Sequence, residues 1–136
     1  MKRNIVVILC SFHQANAVAM LDEVRNYALE NKITIIDEIW VPGAMEVPLT
    51  LKRELMQNDI DGAVILGTIE AGETKHGLVM ANVVMNSIIN IQIEQMKPVG
   101  VGILGPEIHP SQMLSRVKPY AKAAAEALKT LLLRSN

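Results

Sequence analysis

The chain alternates continuous apolar runs with longer segments of helical spacing from one end to the other. Runs that are apolar on both faces are typical of strands covered by helices on both sides, and strict alternation with helices favours a parallel sheet. The predicted strands are residues 5–10, 33–41, 62–67 and 99–104, and the predicted helices are residues 16–30, 45–57, 74–95 and 110–133. We therefore expect an α/β fold, a three-layer α-β-α sandwich around a four-stranded parallel sheet, with right-handed crossovers.

Length and composition narrow the class of protein. A chain of 136 residues suits one domain, 1–136, with a sizeable core. No apolar run is long enough to cross a bilayer, and residues 5–10 lack the features of a signal peptide, so we expect a soluble cytoplasmic protein. The net charge of -1, without blocks of either sign, disfavours nucleic acid as a partner. Cys10, the single cysteine, is expected in the core.

Residues 67–76 pass from a predicted strand through two glycines into a helix. Ligands of parallel sheets bind at the carboxyl ends of the strands, and the first backbone N–H groups of a helix are unpaired and attract anions. Gly72, Glu73 and Thr74 could therefore hold a phosphate, although Thr74 could equally be a simple helix cap. His76, in the first turn, could transfer a proton near neutral pH, although most lone histidines in such positions are ordinary surface side chains.

Two further segments are candidates for ligand binding. Residues 41–48 leave the second strand through a Pro-Gly turn, and the carboxylate of Glu46 there suits a polar heterocycle, although an acidic first helical turn explains it as well. Arg116 precedes Pro119, which must kink or restart the last helix. A guanidinium binds phosphate through two hydrogen bonds, but a solvated helix surface is the competing interpretation.

The third predicted helix is more apolar than one sheet face requires. Asn82, Asn86, Asn90 and Glu94 recur at every fourth position and form one polar stripe, while aliphatic residues and methionines cover most of the remaining circumference. We expect the excess apolar surface to contact another subunit. The alternative is that the helix is buried within a single domain.

Two motifs carry a resemblance to a known family. Residues 40–48, Trp-Val-Pro-Gly-Ala-Met-Glu-Val-Pro, resemble the VPGxxExP turn of the lumazine synthases, and residues 66–76 resemble their LGxxxxGET-x-H segment. The two motifs occur in order and at the correct spacing, and the resemblance extends from Ile5 to Leu132. Residues 105–106 and 115–117 are most similar to the archaeal-type branch.

The resemblance implies a flavodoxin-like fold and an enzymatic activity. Its members condense 5-amino-6-ribitylaminouracil with 3,4-dihydroxy-2-butanone 4-phosphate to 6,7-dimethyl-8-ribityllumazine, the penultimate step of riboflavin biosynthesis, and release phosphate and water. They need no metal or organic cofactor. The resemblance also implies homopentamers, or multiples of pentamers, with active sites between neighbouring subunits.

The resemblance also assigns roles to individual residues. On the heterocycle side, the residues are Phe12, which stacks on the pyrimidine, Ala44, Met45 and Glu46, which line the ribityl and uracil region, and Thr68, Ile69, Glu70 and Val101. On the phosphate side, the residues are Gly72, Glu73, Thr74 and Arg116, and His76 is the proton-transfer residue. The chain departs from the family pattern at His13, where Asn is common, at Glu70 and Ala71, and at Val101, where many members have an aromatic residue.

Two alternatives remain open. The archaeal riboflavin synthases share the fold and would dismutate two lumazines, but this chain carries the GET-x-H segment that they lack. A non-catalytic relative that binds a flavin or lumazine, or only forms a shell, would not need His76 beside an anion site.

Overall fold

The computed structural model describes residues 3–70, 75–108 and 110–134, with the backbone only at residues 70, 106–108 and 110. The elements in chain order are β1 (Asn4–Cys10), α1 (Gln14–Glu30), β2 (Thr34–Val41), α2 (Val47–Leu55), β3 (Gly62–Glu70), α3 (His76–Gln95), β4 (Val99–Ile108), α4 (Pro110–Met113) and α5 (Val117–Leu132).

The four strands form one parallel sheet in the order β2-β1-β3-β4. Helices α1 and α5 cover one face of the sheet, and α2 and α3 cover the other. The step from β1 to β2 and the step from β3 to β4 run in opposite directions with their helices on opposite faces, so the crossovers share one hand, as the handedness rule requires. The predicted three-layer, flavodoxin-like sandwich is confirmed.

Strand β1 shows why both faces of the sheet are apolar. Its side chains alternate between the faces because a strand has a period of two residues. Ile5, Val7 and Leu9 enter the core beneath α1 and α5, whereas Val6 and Ile8 enter the core beneath α2 and α3. All of them are at most 1% exposed. The centre of the sheet is therefore fixed by burial on two sides.

Strands β3 and β4 extend beyond the predicted ends at Gly67 and Leu104. They continue to pair with each other, with a register shift between Thr68 and Glu70. Gly105 has a φ of +111°, and a Cβ on it would lie 2.2 Å from the carbonyl oxygen of Ile69. The prediction that the fourth strand ends at residue 104 was wrong, because Gly105 lets β4 pass close to β3 and continue.

The helices differ from the predicted ones at their ends. The predicted helix 45–57 is a 3-10 turn, Ala44–Glu46, followed by the shorter α2. The predicted helix 110–133 is interrupted at residues 114–116, and Pro119 lies in the first turn of α5, where its missing N–H costs no intrahelical bond. The predicted restart near Pro119 is confirmed. The predicted start of the third helix at Thr74 lies outside the described residues.

Helix α3 presents a mixed face to solvent. Ala81, Val84 and Ile88 are its buried residues. The outward face combines the exposed asparagines with exposed aliphatic side chains: Val79, Val83, Ile89 and Ile93. The alternative that the domain itself buries this helix was wrong. By length and mean hydropathy, 1.2, the same helix could cross a membrane even though no uninterrupted apolar run could, and only 22% of the helical window concerned is buried in the subunit.

Candidate active site

The topology identifies one end of the sheet as the place where a ligand can bind. From β1 the chain moves outwards to β2, whereas from β3 it moves the opposite way to β4. The carboxyl ends of β1 and β3 therefore flank a topological switch point, where the loops separate and leave a crevice. The loop after β1, the turn after β2, the last residues of β3 and the start of α3 carry most of the described residues that the sequence predicted for the site.

Hydrogen bonds join the loop after β1 to the turn after β2. The Ser11 backbone N–H donates to the Val41 carbonyl at 2.8 Å, and the Ser11 hydroxyl donates to the Pro42 carbonyl at 3.4 Å. These bonds fix the backbone immediately before Phe12, whose side chain is 52% exposed. The ring of Phe12 is thus available to stack on a flat ligand. Ser11 was not among the predicted residues, and no pattern in the sequence distinguishes it from an ordinary loop serine.

The 3-10 turn after β2 is closed by Glu46. Its Oε2 accepts a hydrogen bond from the Gly43 backbone N–H at 3.1 Å, and the Glu46 N–H donates to the Gly43 carbonyl at 3.2 Å. Ala44 is buried, whereas Met45 and Glu46 are exposed, and the turn packs on α3 and β3. Ala44 therefore anchors the turn, and Met45 and Glu46 are presented to solvent.

The end of β3 is largely covered. Thr68 is 6% exposed and Ile69 is 3% exposed, and Ile69 packs in the core beneath α2 and α3. Within one subunit, Ile69 can reach a ligand through its backbone only. The backbone of Glu70 pairs with Ile108. The proposed phosphate residues Gly72, Glu73 and Thr74 lie outside the described residues, so the predicted anion cradle stays a prediction.

Cys10 is buried at the end of β1, as expected. Burial, and secondarily the negative charge of Glu46, raises the pKa of its thiol to about 11. The thiol is therefore protonated at neutral pH, and a nucleophile would need the thiolate. Its side chain packs against Gly67, where an added Cβ would lie 2.9 Å from Sγ. Cys10 thus supports the floor of the crevice and supplies no chemistry.

His76 is the first residue of α3 and is exposed, which confirms its predicted position in the first turn. The residue before it, Lys75, occupies the N-cap position, and its carbonyl accepts a hydrogen bond from the Val79 N–H at 3.0 Å. The imidazole therefore stands at the positive end of a 20-residue helix. That position favours the binding of an anion beside the imidazole.

Arg116 lies on the other side of the sheet, at the start of α5. Its Nη1 donates to the Gln112 carbonyl at 3.4 Å, and its backbone N–H donates to the Met113 carbonyl at 3.0 Å. The Asn16 side chain donates to the Met113 sulfur at 3.4 Å, which joins this corner to the start of α1. His76 and Arg116 thus begin helices on opposite faces of the sheet, at the same end of it.

Val101 is not brought together with the other predicted residues. It pairs with Ile65 in mid-strand, three residues before the Leu104–Thr68 pair, which corresponds to about 10 Å along the strand. It borders a shallow hollow of about 240 Å³ on the edge of the sheet, together with Tyr120 and alanines of α5. Within one subunit, Val101 therefore lies apart from the predicted residues at the carboxyl ends of the strands.

A second hollow, of about 490 Å³, is larger than the one beside Val101 and lies away from the crevice. It is formed by α1 and the first half of β2, beside the Arg25–Glu38 ion pair, in which Nε donates to a carboxylate oxygen at 2.6 Å. That ion pair lowers the pKa of Glu38, as expected for a surface carboxylate beside a guanidinium. Among the described residues, no cluster of three or more His, Cys, Asp or Glu side chains could hold a metal ion.

The fold and this arrangement define the class: a flavodoxin-like α/β protein with a candidate ligand site at the carboxyl ends of a parallel sheet. Residues 2–135 match the family model described as 6,7-dimethyl-8-ribityllumazine synthase. The chain therefore belongs to the 6,7-dimethyl-8-ribityllumazine synthase family.

The similar proteins, mostly archaeal, carry the same description. The 6,7-dimethyl-8-ribityllumazine synthase of Staphylothermus marinus is 34% identical over 95% of this chain and 86% of its own length. Those of Picrophilus torridus and Methanopyrus kandleri are each 33% identical, over 96% and 94% of this chain and 96% and 90% of their own lengths. The similarity thus covers the whole fold.

Proposed function

We propose that this chain condenses 5-amino-6-ribitylaminouracil with 3,4-dihydroxy-2-butanone 4-phosphate to 6,7-dimethyl-8-ribityllumazine, as the transferase of the penultimate step of riboflavin biosynthesis. The observation that carries the proposal is the family match over residues 2–135. The exposed Phe12, the Glu46 turn and His76 support it, because they lie at the same end of the sheet. Both substrates are polar metabolites, and we propose a cytoplasmic location.

The pyrimidine substrate occupies the crevice at the carboxyl ends of β1 and β3, beside the turn after β2. Phe12 stacks on its ring, and Met45 and Glu46 contact the ribityl chain and the uracil from the 3-10 turn. Ala44 is buried and contributes its backbone. Thr68, Ile69 and Glu70 contact the heterocycle from the end of β3, where the burial of Thr68 and Ile69 leaves chiefly backbone groups for this role.

The phosphate substrate lies between the start of α3 and a guanidinium. The backbone of Gly72, Glu73 and Thr74 precedes α3, where the helix dipole favours an anion. Arg116 neutralises the phosphate from the opposite side.

His76 moves protons at this position. The substrate amine attacks the ketone, and the resulting carbinolamine loses water to form an imine. Phosphate then leaves with the C–O bond electrons as the adjacent carbon loses a proton. The resulting enol becomes a ketone, the ribitylamino nitrogen attacks it, and loss of a second water closes the ring. A neutral imidazole can accept the proton that the amine or the adjacent carbon loses, and its protonated form can return one to the departing oxygen.

We further propose that the active site lies between two subunits of a homopentamer or a multiple of pentamers. Three observations support this. Val101 is about 10 Å along its strand from the level of Thr68, so a neighbour's Val101 is better able to contact the ligand. The helices that start at His76 and Arg116 lie on opposite faces of one sheet. The outward face of α3 carries exposed aliphatic side chains, and its asparagines, costly in lipid, suit a protein partner better than a membrane.

The assay for the reaction mixes purified protein with the two substrates and follows lumazine absorbance and fluorescence. We expect formation above the uncatalysed background. In His76→Ala, kcat should fall about a hundredfold or more while KM changes little, because proton transfer acts mainly on the transition state. Background rates with the wild-type protein would leave the chain as a binding or shell-forming relative.

Phosphate capture is tested with Arg116→Ala. We expect KM for the phosphate substrate to rise about ten- to a hundredfold, the effect of losing a charged hydrogen-bond donor. Arg116→Lys keeps the charge but loses the paired donors. Its KM for the phosphate substrate should therefore lie between the wild-type value and that of Arg116→Ala. An unchanged KM in Arg116→Ala would mean that another group holds the phosphate.

Co-expression of His76→Ala with Arg116→Ala tests whether neighbouring subunits share a site. If the two residues of one site come from different subunits, random assembly leaves about a quarter of the sites with both residues intact. If they come from the same subunit, every site carries a defect and activity stays at the level of the two separate variants. The two variants purified separately and mixed without subunit exchange serve as the control.

A further inference from the structure

We propose that His13 is a positioning residue that holds the ring of Phe12 in the orientation that stacks on the pyrimidine substrate. The proposal rests on the proposed function, because it concerns the ring that faces the crevice.

The contact between the two rings is the first observation. Their centroids are 4.5 Å apart and their planes are inclined at 71°, an edge-to-face arrangement in which the positive edge of one ring meets the negative face of the other. Phe12 is 52% exposed, so the core covers only part of its ring. A neighbouring ring at this angle restricts the rotation of the phenyl group.

The backbone of His13 supplies an independent argument. Its φ of 57° and ψ of 56° lie in the left-handed region, which Gly adopts at the lowest cost and Asn, Asp and His adopt more often than other residues. It also occupies the N-cap position of α1, where its carbonyl accepts hydrogen bonds from the N–H groups of Asn16 and Ala17 at 3.0 and 3.2 Å. Asn is among the favoured N-cap residues because its side chain can cap the helix.

The side chain of His13 makes no such capping bond. Asn would satisfy the backbone conformation as well as His does, and the cap better. The ring contact with Phe12 is an interaction of His13 that Asn could not make. The contact between the imidazole and Phe12 therefore explains why His stands at position 13, which the backbone conformation and helix capping do not explain.

The test is His13→Asn, which keeps the backbone conformation and removes the ring. We expect KM for the pyrimidine substrate, and Kd for the lumazine product measured by fluorescence, to rise about two- to tenfold, the range of an aromatic pair. We expect kcat to stay close to the wild-type value and Tm to be equal or slightly higher, because Asn is the better N-cap residue. A purely structural role of the imidazole would lower Tm and leave the pyrimidine KM unaltered.

Lys32→Asn is the matched control. Lys32 follows α1 at its other end and has a φ of 55°, so the same substitution relieves the same backbone cost away from the crevice. It should leave the pyrimidine KM unchanged. Equal effects of the two substitutions would overturn the proposal, because backbone relief alone would then explain them.

The double variant Phe12→Ala/His13→Asn tests whether His13 affects substrate binding through Phe12. In the Phe12→Ala background, His13→Asn should change KM no further. A full additional effect there, or an unchanged pyrimidine KM in His13→Asn alone, would overturn the proposal. Failure of the proposed function is distinct, since the wild-type protein would then form no lumazine above background; the product Kd values would still decide the role of His13.

Discussion

Gly43 illustrates how little a residue type says before its conformation is known. A Pro-Gly pair predicts a turn, and the usual reason for glycine there is a positive φ. Its φ is instead -158°, an extended conformation that any residue adopts, and an added Cβ would meet only the Glu46 Oε2, at 3.6 Å. The fold does not require glycine at this position, so the reason for it lies in the open space beside the turn.

Gly43→Ala should therefore separate folding from binding. We expect an unfolding free energy within about 0.5 kcal/mol of the wild-type value, because the Cβ meets no clash. We also expect a higher KM for the pyrimidine substrate, because the methyl group occupies space that the ligand needs. Urea denaturation and steady-state kinetics measure the two quantities. A variant that loses stability but keeps its KM would show that the turn itself needs glycine.

At the scale of elements, the close approach of β4 to α5 depends on small residues. A Cβ on Gly100 would lie 2.1 Å from the backbone oxygen of Ala124, which cannot move without shifting the helix. A Cβ on Gly102 would lie 2.9 Å from the end of the Leu66 side chain, which can rotate away. The two glycines share one face of the strand, so they form a matched pair.

We expect Gly100→Ala to lower the unfolding free energy by about 1–3 kcal/mol, the range for overpacking a core, and Gly102→Ala to lower it clearly less. Urea denaturation curves of both variants give the comparison. Losses of equal size would indicate that the rigidity of the neighbouring atom does not decide the cost.

The elements themselves were largely predictable, but their ends were not. Continuous apolar runs gave the four strands, and the break before Pro119 followed from the missing N–H. The extensions of β3 to Glu70 and of β4 to Ile108 were missed, because Gly67 and Gly105 resemble turn residues locally. Pairing between the two strands outweighs that local preference.

At the scale of the whole molecule, the outward face of α3 determines assembly under our proposal. Val83 is 53% exposed on that face. In Val83→Glu, each subunit of a ring would place a charge in the same interface, and we expect the pentamer to dissociate into smaller, folded species. Light scattering after gel filtration measures the mass, and circular dichroism checks the fold.

Leu29→Glu is the control for this experiment, because Leu29 is 82% exposed on α1, in the opposite layer. It should leave the assembly intact. Dissociation in both variants would mean that the face of α3 is not the specific contact, and an intact pentamer in Val83→Glu would exclude that face from the interface.

The sequence by itself determined the strand-helix alternation, the buried character of Cys10, the break before α5 and the motifs around Glu46 and His76, because these depend on patterns within a few residues. Only the tertiary structure decided the strand order, the burial of Thr68 and Ile69, the mid-strand level of Val101 and the contact between Phe12 and His13. Strand order, register and side-chain burial arise from pairing and packing between segments distant in the chain, which no local pattern encodes.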